Sequence, residues 1–303
     1  MKKMKIGKLM AIIELGLALV FTPVLLAQKK MIQIKGSDTM INLVQILAEE
    51  YMAKNPQSPI AVLGGGSGTG ISALINNTCD IADSSRDLKE KEFNQAWEKG
   101  VRPRLFAIAI DGLSIIVNSK NPLTKLTMGQ VGAIYRGEVK NWKAVGGPDL
   151  AISLYGRQSN SGTYVFLQEH VLNNKNYSPD MKEMNGNAQI IEGVRADEGS
   201  IGYVGVGYVI DRATGKPGPG LKILLISKDE KSQEFSPLDK QAVDTGKYPI
   251  ARALYQATNG KPRPDVAAFI RWEIGPEGQK IVEREGFYPI GAADQEKNDK
   301  NLK

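Results

Sequence analysis

Residues 156–163, Gly-Arg-Gln-Ser-Asn-Ser-Gly-Thr, have the residue types to bind a small anion. They follow a short apolar run and lead into a segment with apolar residues at helical spacing, which predicts a strand, a turn and a helix. The first N–H groups of a helix have no partner within it, and the peptide dipoles leave partial positive charge there. The side chains and backbone needed to hold an oxyanion come from Arg157, Ser161, Gly162 and Thr163. An N-cap serine beside a surface arginine is the alternative.

Three further turns rich in Ser, Thr and Gly follow predicted strands. They contribute Ser37, Asp38, Thr39, Ser67, Ser85 and Arg86. Ligands of open α/β sheets gather outside the carboxyl ends of the strands, so we expect the four turns to meet around one tetrahedral anion. Hydrogen bonds to a charged group contribute about 1.5–3 kcal/mol each. Four or five of them reach about −8 kcal/mol, the scale of a micromolar dissociation constant.

Nucleotide and hydrolase motifs fit this chain poorly. Gly65 and Gly70 have phosphate-loop spacing, but the lysine that should follow is missing. Neither Ser67 nor Ser161 lies in a Gly-x-Ser-x-Gly elbow, and a serine phosphohydrolase would have to pair one of them with His170. One histidine and one cysteine cannot form a His/Cys zinc site or an intrachain disulfide. No metal or cofactor is predicted, and the hydrolase stays an alternative.

Composition and charge are those of a globular protein. The chain has 303 residues, enough for two domains, with 42% hydrophobic and 24% charged residues. Four lysines and one glutamate lie in residues 1–27, so the remainder holds 35 basic and 32 acidic residues, a net charge of +3. This balance argues against a nucleic-acid-binding protein.

Residues 1–27, basic and then apolar, predict a signal peptide for periplasmic or extracytoplasmic export, with an uncleaved anchor as the alternative.

Short strands alternate with helical segments along the chain, which is typical of an α/β fold. The run Ile60–Leu63, for example, precedes a glycine turn and then a helical segment from Ile71. Two β-rich runs broken at Asp111 mark the place where the chain is expected to cross to a second domain. Residues 292–303 are polar and are expected to be frayed.

The ordered turns resemble those of the phosphate-binding receptor proteins of bacterial phosphate ABC importers. The resemblance extends from about residue 31 to 291 and rests on Lys35–Met40, Gly64–Ile71, Asp80–Arg86, Gly156–Thr163 and Asp197–Tyr203. It implies a two-lobe periplasmic-binding-protein clamshell, in which each lobe is a mixed sheet flanked by helices and two strands cross between lobes. We expect lobe 1 to comprise residues 31–108 and 253–291, and lobe 2 residues 109–252.

The resemblance also implies a role. The chain would be a non-enzymatic, monomeric receptor that closes on inorganic phosphate and delivers it to an ABC permease with separate ATPase subunits. By resemblance, the phosphate-contacting positions are Thr39, Ser67, Arg157, Ser161, Gly162 and Thr163. Receptors for sulfate, molybdate or tungstate on the same fold, and a phosphate sensor without a permease, stay open as alternatives.

One position departs from the family pattern. Some members carry an aspartate in the third turn that accepts a proton from the ligand and so excludes sulfate, whereas this chain has Ser85 there, followed by Arg86. We expect Asp38 to supply the acceptor from the first turn and to pair with Arg86. The alternative is that Ser37 or Asp38 merely caps the following helix.

Overall fold

The computed structural model describes residues 30–212 and 214–303. Its strands are β1 (Ile32–Gly36), β2 (Ile60–Leu63), β3 (Ile81–Ser84), β4 (Pro103–Gly112), β5 (Ser114–Asn118), β6 (Lys125–Thr127), β7 (Ser153–Arg157), β8 (Lys182–Met184), β9 (Ser200–Val204), β10 (Ile210–Asp211), β11 (Lys216–Pro217), β12 (Leu221–Ile223), β13 (Leu225–Ser227) and β14 (Ala251–Asn259). Its α-helices are α1 (Ile41–Lys54), α2 (Ser67–Ile75), α3 (Glu90–Glu98), α4 (Met128–Tyr135), α5 (Gly162–His170), α6 (Asn187–Ala196), α7 (Lys240–Asp244), α8 (Pro264–Glu273), α9 (Pro276–Arg284) and α10 (Ala292–Leu302).

Two five-stranded mixed sheets form the two lobes. The first has the order β2-β1-β3-β14-β4, with β14 antiparallel to both of its neighbours. The second has the order β12-β5-β9-β7-β8, in which β9, β7 and β8 run parallel. Helices flank both sheets, so the predicted α/β class with mixed sheets is confirmed. The carboxyl ends of β1, β3 and β7 lead directly into the turns that the sequence analysis singled out.

The chain passes between the sheets at β4 and β14. β4 belongs to the first sheet and is followed, after Leu113, by β5 of the second. β14 returns to the first sheet and pairs with β4 along its whole length, from Ala251 opposite Gly112 to Asn259 opposite Pro103. The chain therefore leaves the first sheet after Gly112 and returns to it at Ala251, while lobe limits at residues 108 and 253 stay a prediction.

The helices bury one face against the sheets, and one apolar cluster joins the two lobes, since it includes Leu47 on α1 and Ile190 on α6. In α1, residues Leu43, Leu47 and Tyr51 are spaced four apart and are all buried. Tyr51 meets the ring of Phe269 on α8 edge-on, with ring centroids 5.1 Å apart. The second core includes fully buried Trp142, whose indole N–H donates to the carbonyl of Gly199 at 3.0 Å.

The frayed tail expected at residues 292–303 is wrong. These residues form α10, which packs on β4, and Leu302 at its end is buried. The Asn298 side chain accepts from the backbone N–H of Ala107 at 2.9 Å and donates to its carbonyl at 2.7 Å. The polar composition was misleading because two asparagines, Asn298 and Asn301, bond this helix to the backbone of the outer strand without an extended apolar face.

The expected cap of the first helix is also wrong. Helix α1 begins at Ile41 with Met40 at its N-cap, and no side chain caps it. Ser37 instead closes the turn, since its Oγ accepts from the N–H of Thr39 at 3.2 Å. This leaves Asp38 free to contact other elements.

The signal peptide predicted for residues 1–27 lies outside the described residues. Within residues 30–212 and 214–303, no helix combines the length and apolar character needed to span a bilayer.

Candidate functional site

The guanidinium of Arg157 at the end of β7 lies at the centre of the site. The residue is 1% exposed, and Nη2 donates to Oδ2 of Asp38 at 2.5 Å and to the carbonyl of Asn185 at 2.8 Å. Within the described part of the chain, Nε and Nη1 have no hydrogen-bond partner. Buried donors without an acceptor are costly, so these two nitrogens indicate a site for an acceptor-bearing group. The alternative of a surface arginine is wrong.

Helix α5 begins where the sequence predicted, directly after the turn that carries Arg157. Ser161 is its N-cap, and its Oγ accepts from the N–H groups of Thr163 at 3.2 Å and Tyr164 at 3.5 Å. The N-cap interpretation of Ser161 is therefore confirmed. Ser161, Gly162 and Thr163 are nevertheless buried rather than surface residues. The positive end of this helix thus faces the interior between the lobes.

The amino end of α2 meets the amino end of α5. The Oγ of Ser67 accepts from the N–H of Ser85 at 3.1 Å and lies 3.4 Å from the Ser85 Oγ. A Cβ built on Gly162 would lie 2.6 Å from the Ser85 Oγ and still closer to the Ser67 Oγ. Only glycine fits at residue 162, because both hydroxyls occupy the space of a side chain. The turns of β3 and β7 and the start of α2 therefore converge.

The first turn joins the same cluster through a pair of hydroxyl groups. The Oγ1 atoms of Thr39 and Thr163 are 2.9 Å apart, although the two residues belong to different lobes. Asn160 adds two contacts across the cleft, accepting from the N–H of Gly68 at 3.0 Å and donating to the carbonyl of Gly65 at 2.9 Å. The lobes are in direct contact here, so the arrangement is a closed one.

The expected pair between Asp38 and Arg86 is wrong. Asp38 accepts from the N–H of Gly65 at 2.7 Å with Oδ1 and from Arg157 with Oδ2. Arg86 turns instead toward α3, where Nη1 and Nη2 donate to Glu92 at 2.8 and 2.7 Å. Burial raises the pKa of Glu92, but the hydrogen bonds from Arg86 prevail and lower it below its usual value. Arg157, which comes from the facing lobe, binds the Asp38 carboxylate that the sequence analysis had paired with Arg86.

Two residues of the crossover strands were missed by the sequence analysis. Arg252 on β14 donates from Nη2 to the Oγ1 of Thr163 at 2.9 Å and to Oδ2 of Asp111 on β4 at 2.9 Å. Burial lowers the pKa of the Arg252 guanidinium, and the charge of Asp111 opposes that effect. The sequence signal for this pair was the charge of Asp111, which lies at the break between two β-rich runs.

A second group of buried polar side chains lies behind the third turn. Asp83, Gln256 and Glu273 are each at most 1% exposed, and the Gln256 amide donates to Oε1 of Glu273 at 3.3 Å. Burial raises the pKa of both carboxyl groups well above the usual values. We expect both to be neutral at acidic pH and costly to ionise.

The described residues offer little support for metal or hydrolase chemistry. Among them, no group of three or more His, Cys, Asp or Glu side chains could hold a metal ion. His170 is the last residue of α5, where it is exposed and stacks on Phe166. At about 1.5 Å per residue it lies roughly 13 Å along the helix from Ser161, too far to act as its base.

Comparisons with known proteins agree with this geometry. The profile described as "PBP superfamily domain" matches residues 26–277. The phosphate-binding protein PstS of Pseudomonas aeruginosa is 33% identical over 285 residues, which cover 88% of this chain and 85% of the relative.

Two solved structures have the same fold. One is a candidate phosphate ABC transporter substrate-binding protein with bound phosphate from Clostridium perfringens, with a TM-score of 0.75 at 26% identity, covering 86% of this chain and 100% of that one. The other is an ABC-type phosphate transport receptor from Vibrio cholerae, with a TM-score of 0.68, 26% identity and the same coverage. The chain therefore belongs to the PstS family of phosphate-binding proteins within the PBP superfamily.

Proposed function

We propose that this protein is a non-enzymatic, extracytoplasmic receptor that binds inorganic phosphate between its two lobes. The observation that carries the proposal is Arg157, a buried guanidinium with two nitrogen donors that no group among the described residues accepts from. A tetrahedral oxyanion supplies acceptors for both nitrogens in the forked geometry that arginine prefers. The printed descriptions of the relatives, which name phosphate as the ligand, support the same assignment.

The ligand set follows from the convergence of the four turns. We propose that the anion accepts from the side chains or backbone of Thr39, Ser67, Ser85, Arg157, Ser161, Gly162 and Thr163. Ser37 shapes the first turn, and Asp38 orients Arg157, since each already has a partner within the protein. Arg86 lies outside the set because Glu92 holds its guanidinium.

Closure follows from the placement of these donors on two lobes. Thr39, Ser67 and Ser85 belong to elements of the first sheet and its helices, while Arg157 and Thr163 belong to the second. Phosphate contacts both sets only in the closed arrangement, so it shifts the population toward that state. We propose that an ABC permease with separate ATPase subunits recognises the closed form and receives the ion.

Selectivity between phosphate and sulfate depends on an acceptor for the phosphate hydroxyl. Both oxygens of Asp38 are already engaged, and a serine hydroxyl such as Ser85 can turn to donate instead of accept. We therefore propose a preference for phosphate that is weaker than a dedicated carboxylate would give.

The test is isothermal titration of the purified protein with phosphate, sulfate and molybdate in separate experiments. We expect micromolar or tighter binding of phosphate and at least tenfold weaker binding of the other two anions. Tightest binding of sulfate or molybdate would assign the site to that anion, and no binding of any of them would refute the proposal.

A further inference from the structure

The two crossover strands carry a buried ion pair at their junction with the site. Asp111 on β4 and Arg252 on β14 stand opposite each other in register and are 0% and 7% exposed. Nε and Nη2 of Arg252 donate to the same oxygen, Oδ2 of Asp111, at 3.1 and 2.9 Å. A buried ion pair is often no more stable than apolar residues of the same size, so fold stability alone does not account for this one.

The guanidinium of Arg252 is held in place by its surroundings. Asp111 is itself anchored, because its second oxygen accepts from the N–H of Val206 at 2.8 Å. The carbon of the guanidinium also lies 5.1 Å from the ring centroid of Phe166 on α5. The direction in which Nη2 points is therefore fixed by three different elements.

That direction determines the orientation of a hydroxyl in the site. Nη2 donates to the Oγ1 of Thr163 at 2.9 Å, and a guanidinium nitrogen can only donate. The Thr163 oxygen must therefore accept this bond, and its single proton has to point elsewhere. Among the described residues, the other neighbour at hydrogen-bond distance is the Oγ1 of Thr39, which is 2.9 Å away across the cleft, and either hydroxyl could donate in that pair. When Thr39 donates, the Thr163 oxygen accepts with both lone pairs and its proton is left for a ligand.

We propose that Arg252 is a positioning residue for phosphate binding, which fixes the Thr163 hydroxyl as a donor toward the anion. The inference rests on the proposed function and adds a requirement to it. With Arg252 and Thr39 both donating to Thr163, the ligand at this corner presents an unprotonated oxygen to the Thr163 hydroxyl, and the hydroxyl of a monoprotonated phosphate lies on the opposite side, toward the serines of α2 and the third turn. The crossover strands thereby take part in recognising the ligand as well as joining the lobes.

A double-mutant cycle on the full chain tests this inference. Phosphate dissociation constants are measured by titration calorimetry for the wild type, Arg252→Met, Thr163→Val and the double variant. We expect each single substitution to weaken binding at least tenfold, and the double variant to lie within about threefold of the weaker single variant, because Arg252 acts through Thr163. The inference would be overturned if the fold-losses of affinity of the two single variants multiply in the double variant. Wild-type phosphate affinity in Arg252→Met would also overturn it.

Two further variants guard against a purely structural effect. Arg252→Lys keeps one donor and should recover part of the lost affinity, which a general loss of packing would not predict. Arg104→Met is the matched control, since Arg104 lies on the same strand pair but donates to the carbonyl of Asn301 on α10. Its phosphate affinity should stay within twofold of the wild type.

A second double-mutant cycle with more conservative substitutions covers the case in which Arg252→Met does not fold. If Arg252→Met does not unfold cooperatively on heating, the cycle is repeated with Arg252→Lys and Thr163→Ser under the same criterion of non-additivity. The titration of the wild type distinguishes failure of the proposed function from failure of the role of Arg252. Absence of phosphate binding there refutes the proposed function, whereas normal binding with independent substitutions refutes only the role of Arg252.

Discussion

Replacement of Arg157 by methionine is the most direct perturbation of the proposed site. The structure leaves two of its nitrogens, Nε and Nη1, for the ligand. Charge-assisted hydrogen bonds contribute about 1.5–3 kcal/mol each. Loss of both hydrogen bonds should therefore cost about 3–6 kcal/mol of binding free energy, which corresponds to a roughly 10²- to 10⁴-fold larger dissociation constant for phosphate.

A second effect acts in the same direction. The Asp38 side chain is only 18% exposed, and in Arg157→Met it loses the cation that lies 2.5 Å away. An unpaired carboxylate beside the anion adds repulsion between like charges, so we expect the loss to fall in the upper half of that range. The double variant Asp38→Asn/Arg157→Met should bind phosphate more tightly than Arg157→Met alone because this repulsion is absent.

The assay is titration calorimetry with phosphate at constant pH and ionic strength, combined with thermal unfolding to show that each variant is folded. Arg136→Met is the matched control. Arg136 is an arginine of the same lobe whose guanidinium pairs with the exposed Glu138, so its removal should leave the dissociation constant unchanged. An Arg157→Met variant that stays within threefold of the wild type would refute the assignment of its free nitrogens to the ligand.

Two further predictions concern positions around the site. Gly162→Ala should weaken phosphate binding at least tenfold in the same titration, because its Cβ would collide with the Ser67 and Ser85 hydroxyls. Gly186→Ala is the control and should leave phosphate binding unchanged, because no atom lies within 4 Å of its added Cβ. Equal losses of affinity in the two variants would contradict this prediction. Glu273→Gln should raise the melting temperature more at pH 8 than at pH 5. Burial raises the folded-state pKa of Glu273, so the stability of the wild type falls as pH rises above the unfolded value of about 4.3. A pH-independent difference in melting temperature would refute this.

Sequence patterns were sufficient for the fold class and for the convergence of the turns. The strand before Arg157 and the helix after Ser161 were predictable because apolar spacing and capping chemistry act between residues close in sequence. The sheet edge at which the turns meet followed from a general property of parallel strands.

Partners far apart in sequence could not be predicted in the same way. Asp38 and Arg157 are 119 positions apart, and Asp111 and Arg252 are 141 apart. Asp38 had two arginines within the predicted site, and only the closed packing of the lobes decides which one it binds. Helix α10 escaped prediction because the side chains of Asn298 and Asn301 fix it to the backbone of β4, and such contacts have no periodic signature.

The position of β14 within the first sheet governs the order in which the molecule can be completed. Among the described strands of that sheet, β4 pairs with β14 alone, and β14 leaves the ribosome only after all strands of the second sheet. A nascent chain that ends before β14 therefore has a three-stranded parallel sheet with an unpaired edge, and a detached β4. Assembly depends on contacts between distant parts of the sequence, which slows folding. The first lobe thus stays unfinished until β14 has been made, and α10, which lies further along the chain, covers the outer strand β4 after that.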